Sequence, residues 1–330
     1  MKILLVGLGS IGQRHLRNLR ALGITDISAY RSLNRPLQDS NLLEGVMVFT
    51  DLKTALLAGQ DAVIICNPTT QHIDVAISAA EYGCNLFIEK PLSHSWERVE
   101  ELLHIVRERD LVSVVGFDLR FDPGLCKMKI LIDEGHIGRV IGIQVQVGQY
   151  LPDWHPLEDY RKGVSAHVRT GGGVILDLVH ELDYVSWVIG RVSYVSCFAD
   201  KVSHLEIETE DIAAILLKFE NGAIGTVHMD YIQRVPSRTC RIIGDEGTIM
   251  WDYYDKKVKW FRADKNDWEE FEYTEFGRND RFLAEMRHLV ACLRGEEQPK
   301  VDLLTASQVL KLALAAKESA RTQEVCEVAL

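Results

Sequence analysis

Residues 1–116 alternate short β-branched runs with segments of helical period, and no other feature of the chain constrains its fold as strongly. The apolar runs fall at 3–6, 26–30, 46–49, 62–65, 85–88 and 112–115. Helical stretches near 11–22, 52–58, 71–82 and 95–109 lie between them and can serve as crossovers returning the chain to a parallel neighbour. Six strands in this order predict a doubly wound parallel sheet, a Rossmann domain spanning 1–119.

After Phe117 the pattern changes. A helix near 124–134 leads to a long alternating strand at 140–150, then to a loop holding Pro152, Trp154 and Pro156. Residues 171–188 read as a glycine-rich lead into an amphipathic helix. Short strands follow from Asp211, separated by turn signals at Asn221-Gly222 and at 244–247. Helical period returns over 280–320. Residues 120–330 are therefore expected to form an α/β domain with a large, mostly antiparallel sheet and helices on one face.

Composition narrows the function. A length of 330 residues fits two domains, and 47% hydrophobic with 26% charged residues is globular. A net charge of -11 without a basic cluster argues against nucleic acid. No apolar run approaches the roughly 18 residues of a membrane helix, and the chain enters its first strand directly after Met1-Lys2, so neither membrane nor export is expected and the cytoplasm is. The seven cysteines are odd in number, scattered and without a C-x-x-C pair, which reads as reduced core thiols. Metal-ligand spacing is absent, so no metal is expected.

Gly7-Leu8-Gly9-Ser10-Ile11-Gly12 follows a strand and opens a helix, the context in which G-x-G-x-x-G binds a dinucleotide. Gly7 permits the turn, Gly9 lets the backbone approach a pyrophosphate, Gly12 lets helix pack on strand, and Ser10 and Ile11 begin the helix whose N–H groups bind the anion. An NAD-binding chain carries a carboxylate at the end of the second strand. Here that strand ends in Arg31 and Ser32, with Arg35 close behind, which favours the 2′-phosphate of NADP and leaves NAD possible. Asn67-Pro68-Thr69 follows the fourth strand and Glu89-Lys90-Pro91 the fifth, at the carboxyl edge where such sheets bind ligands. Lys90 there can hydrogen-bond a reacting oxygen.

These motifs, with His72, the segment Gly116-Phe117-Asp118-Leu119-Arg120-Phe121 and the run Gly171-Gly172-Gly173-Val174-Ile175-Leu176-Asp177, make the chain resemble the Gfo/Idh/MocA oxidoreductases over both halves. The resemblance implies a Rossmann domain joined to an α/β domain whose open sheet forms a homo-oligomer, a dimer or a tetramer, with the active site between the domains. It implies that Lys90 assists catalysis near the nicotinamide ribose, that Asp177 and His180 bind substrate hydroxyls with His180 as acid or base, and that Asn67, Pro68, His72 and Glu89 lie near the nicotinamide.

The chain departs from that family in two places. Asp177 and His180 are three residues apart where the family has four, a spacing that still shares one helix face, and Asp183 is a second candidate to orient the imidazole. Asp118 stands where Asn is common. The glycines at 171–173 are expected to let the backbone approach a ligand. The loop with Trp154, His155, Tyr160 and Arg161 has the rings and cations either of a sugar or nucleotide pocket, joined by Asp118 and Arg120, or of a surface loop pinned by Trp154 at a subunit contact. Segments 148–156 (GQYLPDWHP) and 177–184 (DLVHELDY) resemble a subgroup associated with surface-polysaccharide and nonulosonate sugars. The expected function is NAD(P)-dependent hydride transfer at a hydroxyl or keto carbon of a sugar or nucleotide-activated acylamino sugar. The alternatives are redox-neutral glycoside cleavage and a non-enzymatic NADP-linked sensor.

Overall fold

The computed structural model describes residues 1–31, 40–154 and 158–328. The chain divides into two compact units, one of residues 1–118 with 278–307, the other of residues 119–277 with 308–330. Residues 278–307, which the sequence pattern assigns to the second domain, pack with the first.

The first unit runs β1 (Ile3–Val6), α1 (Ser10–Ala21), β2 (Ile27–Tyr30), β3 (Met47–Phe49), α2 (Leu52–Leu57), β4 (Ala62–Ile65), α3 (His72–Glu81), β5 (Asn85–Glu89), α4 (Val99–Glu108) and β6 (Ser113–Gly116). All six strands are parallel, in the order β3-β2-β1-β4-β5-β6, so the chain reverses direction across the sheet between β1 and β4. The central strands are buried on both faces, which is why they read as unbroken apolar runs. Leu16 and Leu19 of α1 cover one face of the sheet with Met286 and Leu289 of a later helix, around Ile3, Leu5 and Phe87. Each such side chain withdrawn from water contributes about 1.5–3 kcal/mol.

The second unit begins with α5 (Pro123–Asp133), capped by Asp122, whose carboxylate accepts from the N–H groups of Gly124 and Leu125. It continues with β7 (Val140–Gly148), α6 (Val174–Asp177), α7 (His180–Ile189), β8 (Val192–Asp200), β9 (Ile212–Phe219), β10 (Ile224–Asp230), β11 (Ser237–Gly244), β12 (Gly247–Asp252), β13 (Lys257–Arg262) and β14 (Asp267–Glu272). After α8 (Arg278–Leu293) and α9 (Leu303–Thr322), β15 (Cys326–Glu327) completes a nine-stranded sheet ordered β14-β13-β12-β11-β7-β10-β9-β8-β15. Among the described residues of this sheet only the β7–β10 pair is parallel. Alternate residues such as Val145, Leu217, Ile242 and Trp251 face the core, while Phe198, Leu216 and Ile224 remain exposed on the opposite face.

The seven cysteines are free thiols, five of them buried. No helix among the described residues is long and apolar enough to cross a membrane.

Candidate active site

The glycine turn after β1 is tightly built on one side and open on the other. Gly7 adopts a φ of +94°, and a Cβ on it would stand 2.9 Å from the Asn67 nitrogen. A Cβ on Gly12 would fall 2.1 Å from the Gly7 oxygen, so α1 packs over the turn only without a side chain there. At Gly9, by contrast, a Cβ would meet nothing within 4 Å. The first turn of α1 carries no acidic residue, and its N-cap is Gly9, which has no side chain to occupy the free N–H groups, so the positive end of the helix meets that opening. A pyrophosphate fits this cradle. Ser10 and Ile11 form the first turn, and Ser10 also lines a cavity of about 300 Å³ with Arg14, Arg17 and Asn279.

The Tyr30 carbonyl accepts from the Gly7 N–H at 3.2 Å, which seats Arg31 beside the glycine turn. Ser32 and Arg35 lie outside the described residues. The parallel register sets Val6, Ile65 and Ile88 level, so Gly7, Asn67 and Lys90 emerge at one carboxyl edge. His72 ties two of the loops there: Nδ1 lies 3.0 Å from the Pro91 oxygen and Nε2 2.9 Å from the Asn67 oxygen. Burial pushes its pKa down, and the two carbonyls oppose that shift. The ring of this buried residue thus lies between the loops that follow β4 and β5. Thr69 is also buried, while Asn67 and Pro68 are half-buried at the edge.

Glu89 likewise points inward. Its Oε1 lies 2.6 Å from His15 Nε2, and its Oε2 accepts the Lys90 backbone N–H at 3.2 Å. Lys90 is half-buried and joined to Pro91 by a cis peptide bond. Asp118 is buried and paired with Arg281, so its charge is already met within its own unit. His15, Glu89 and Glu285, distant in sequence, bring three donor atoms of metal-ligating type within 4.8 Å of one another. Sequence spacing shows no such cluster.

In the second unit the glycine run packs against its own chain. A Cβ on Gly172 would lie 2.4 Å from the Val164 oxygen, and one on Gly173 2.4 Å from a Glu210 carboxylate oxygen. These glycines therefore make room for close packing of their own chain. Asp177 and His180 do not share one regular helix either. Asp177 ends the four-residue α6, Leu178 leaves helical geometry with ψ of +29°, and α7 starts at His180. The step between them is a tight turn in which the Glu181 N–H reaches the Leu178 oxygen at 3.2 Å.

Asp177 has a partner that the sequence reading misses. The hydroxyl of the fully buried Tyr231 donates to Asp177 Oδ2 at 2.5 Å. Trp154 packs edge-on against that ring at 5.3 Å, and its indole N–H donates to the Gln149 oxygen at 3.3 Å. Only a tyrosine closing an alternating strand marked Tyr231 in the sequence.

Arg120 and Asp183 form a buried bidentate pair, with N–H donors 2.7 and 2.8 Å from the carboxylate oxygens, and the guanidinium also lies 4.6 Å from the Trp187 ring. Arg120, expected to face substrate, is an interior cation, and both oxygens of Asp183 accept from it. Burial outweighs Arg120 and holds Asp183 above the ordinary carboxylate range. Arg161 is exposed and held by Asp159 at 2.8 Å and Glu206 at 3.1 Å, while the Tyr160 hydroxyl accepts from the Glu206 N–H at 3.3 Å. His155 lies outside the described residues.

Comparison with known proteins agrees with this architecture. Residues 1–117 match the family described as "Oxidoreductase family, NAD-binding Rossmann fold", and residues 126–250 the "GFO/IDH/MocA C-terminal domain". An uncharacterized oxidoreductase, YrbE, of Bacillus subtilis is 31% identical over 235 residues, which span 68% of this chain and 65% of that protein. The myo-inositol 2-dehydrogenase of Thermotoga maritima is 25% identical over 97% of this chain and 96% of its own length. Among solved structures, levoglucosan dehydrogenase in complex with NADH superposes with a TM-score of 0.89 at 20% identity, covering 100% of this chain and 99% of that one. The WlbA dehydrogenase from Bordetella pertussis, in complex with NADH and UDP-GlcNAcA, gives 0.84 at 23% identity over 100% of this chain and 99% of its own. With both halves matched in order and a six-stranded parallel sheet followed by a nine-stranded open one, the chain belongs to the Gfo/Idh/MocA family of NAD-binding oxidoreductases.

Proposed function

We propose that the protein is a cytoplasmic NAD(P)-dependent sugar dehydrogenase or ketoreductase, moving a hydride at a CH–OH or keto carbon of a sugar or nucleotide-activated acylamino sugar. The observation that carries this reading is Lys90, held by its own backbone on the Glu89 carboxylate at the sheet edge from which the glycine turn also emerges. When bound, the nicotinamide accepts or supplies the hydride. The chain's own residues orient the reacting carbon and manage one proton. Lys90 and Asp177 hold and polarise the substrate oxygen, and His180 takes or returns its proton. Tyr231 keeps the Asp177 carboxylate in one orientation. Sugar and polyol dehydrogenases among the relatives, and a neighbour solved with a nucleotide sugar, support this substrate class.

Arg31 beside the glycine turn supports a preference for NADP over NAD. Arg31→Ala is expected to raise the KM for NADP about 10- to 100-fold, the loss of one charge-assisted contact. It leaves the KM for NAD unchanged, and equal effects on both cofactors refute the preference. The exposed sheet face bearing Phe198, Leu216 and Ile224 supports a homo-oligomer formed through that sheet.

The reaction is tested by incubating the protein with free and nucleotide-activated acylamino sugars plus NADP or NAD, following nicotinamide absorbance and product mass together. A two-hydrogen mass change matched by cofactor turnover is the expected result. A mass change with no net cofactor signal overturns the dehydrogenase reading in favour of redox-neutral cleavage.

A further inference from the structure

Glu285 on α8 is 1% exposed, and neither of its carboxylate oxygens meets a hydrogen-bond partner among the described residues. An oxygen of this side chain lies within 4.8 Å of a His15 ring nitrogen and a Glu89 carboxylate oxygen. The groups that face it come from every packed element. His15 lies on α1, Cys66 follows β4, Glu89 ends β5, Asp118 follows β6, and Arg281 sits one turn earlier on α8, while Arg14 of α1 acts on Glu89, Asp118 and Arg281. Arg278 faces Arg14 and is exposed to solvent, which screens it.

Three carboxyls, Glu89, Asp118 and Glu285, share this enclosed group with one guanidinium, that of Arg281. Glu89 is held by His15 and the Lys90 N–H, and Asp118 by Arg281. Among the described residues Glu285 alone of the three carboxyls meets no donor to stabilise an anion, and two carboxylates sharing one site do not both ionise readily. We propose that Glu285 is carried as a neutral acid and is a positioning residue: as an uncharged neighbour it packs beside the Glu89 side chain without repelling it, and Glu89, anchored by His15, fixes the backbone of Lys90. The positioning role rests on Lys90 acting as proposed above, whereas the protonation state does not.

Burial, then Glu89, then Asp118 push Glu285 well above the carboxylate range, with Arg281 opposing. A proton bound more tightly by the folded chain contributes stability that is complete below the ordinary carboxylate pKa and is lost as pH rises through the shifted value. The test compares Glu285→Gln with Glu285→Ala, reading Tm and the kcat and KM pH profiles from about pH 5 to about pH 9. Glutamine copies the neutral acid. It is expected to retain the wild-type Tm at acidic pH, to flatten the alkaline decline in Tm, and to keep kcat within about twofold at neutral pH while extending its alkaline limb. Alanine is expected to lower kcat about tenfold with a smaller change in KM, since Glu89 then loses the side chain packed beside it and its hold on the Lys90 backbone loosens.

A Glu285→Gln variant with reduced Tm and tenfold lower kcat at acidic and neutral pH would overturn the proposal, because an ionised carboxylate would then be needed. So would a rise in wild-type Tm on adding Mn²⁺ or Zn²⁺ that Glu285→Gln abolishes, which would make the three donors a cation site. The Tm profile decides the protonation state even if Lys90 proves dispensable, so the two readings fail separately.

Discussion

Replacing Lys90 with alanine is expected to lower kcat/KM about 10³-fold, the usual range for removing a group that handles charge or a proton at the reacting oxygen. Cofactor affinity should change little, because the pyrophosphate cradle is made of backbone at Gly7, Gly9 and Gly12 and the positive end of α1. His180→Ala should fall by a similar factor, and the double variant by much less than the product of the two if both act on one oxygen. Lys90→Arg should not restore activity, since a forked guanidinium cannot take the place of a compact ammonium held by a short loop. Steady-state rates alongside nicotinamide fluorescence separate chemistry from binding. Near-full turnover in both alanine variants would remove the assignment, including the case for a catalytic oxidoreductase over a cofactor-linked sensor.

Arg120→Met should be the most destabilising of these changes, by about 3–5 kcal/mol, because it leaves Asp183 buried without its counter-charge. The two side chains are 7% and 0% exposed, so solvent screens the pair little. The sign of the pH dependence follows from Asp183 already lying above the carboxylate range, with burial as the main cause and Arg120 opposing it. The folded chain holds that proton more tightly than the unfolded chain. Its contribution is present below the ordinary carboxylate pKa and is lost as pH rises. Removing Arg120 enlarges the shift, so the Tm of Arg120→Met should drop more steeply than that of the wild type between about pH 5 and about pH 8. Arg120→Met with Asp183→Leu should recover most of the loss, as neither charge then remains to be desolvated. Thermal unfolding across pH checks this. A single variant within about 1 kcal/mol of the wild type at neutral pH would show that Asp183 finds another partner.

Much of the first unit was legible along the chain. The strands at 3–6 and 62–65 match the structure, and the other four shift by one residue at their ends, because strands buried on both faces announce themselves as unbroken apolar runs. The long helical stretch expected over 95–109 starts only at Val99, since Arg98 adopts a left-handed φ of 59° that periodicity does not register. The run expected over 280–320 is two helices, divided around Gly295 with a φ of +73°. Arg120 and Asp118 look like ligand-binding charges in sequence and prove to be interior ones, and the glycines at 172 and 173 make room for backbone and a Glu210 carboxylate.

Features that depend on neighbours a few residues apart are written along the chain: the strand–turn–helix of the glycine motif, the alternation of the open sheet and the edge at which Lys90 emerges. Tertiary structure alone decided which charges meet. Tyr231 reaches Asp177 across 54 residues, His15 reaches Glu89 across 74, and Glu285 arrives from a helix that sequence order places in the other domain. Hydrophobic periodicity reports how deeply a residue is buried, which is a property of its own element. The partner of a buried charge is set by how elements pack, and a single chain of letters carries no period for that.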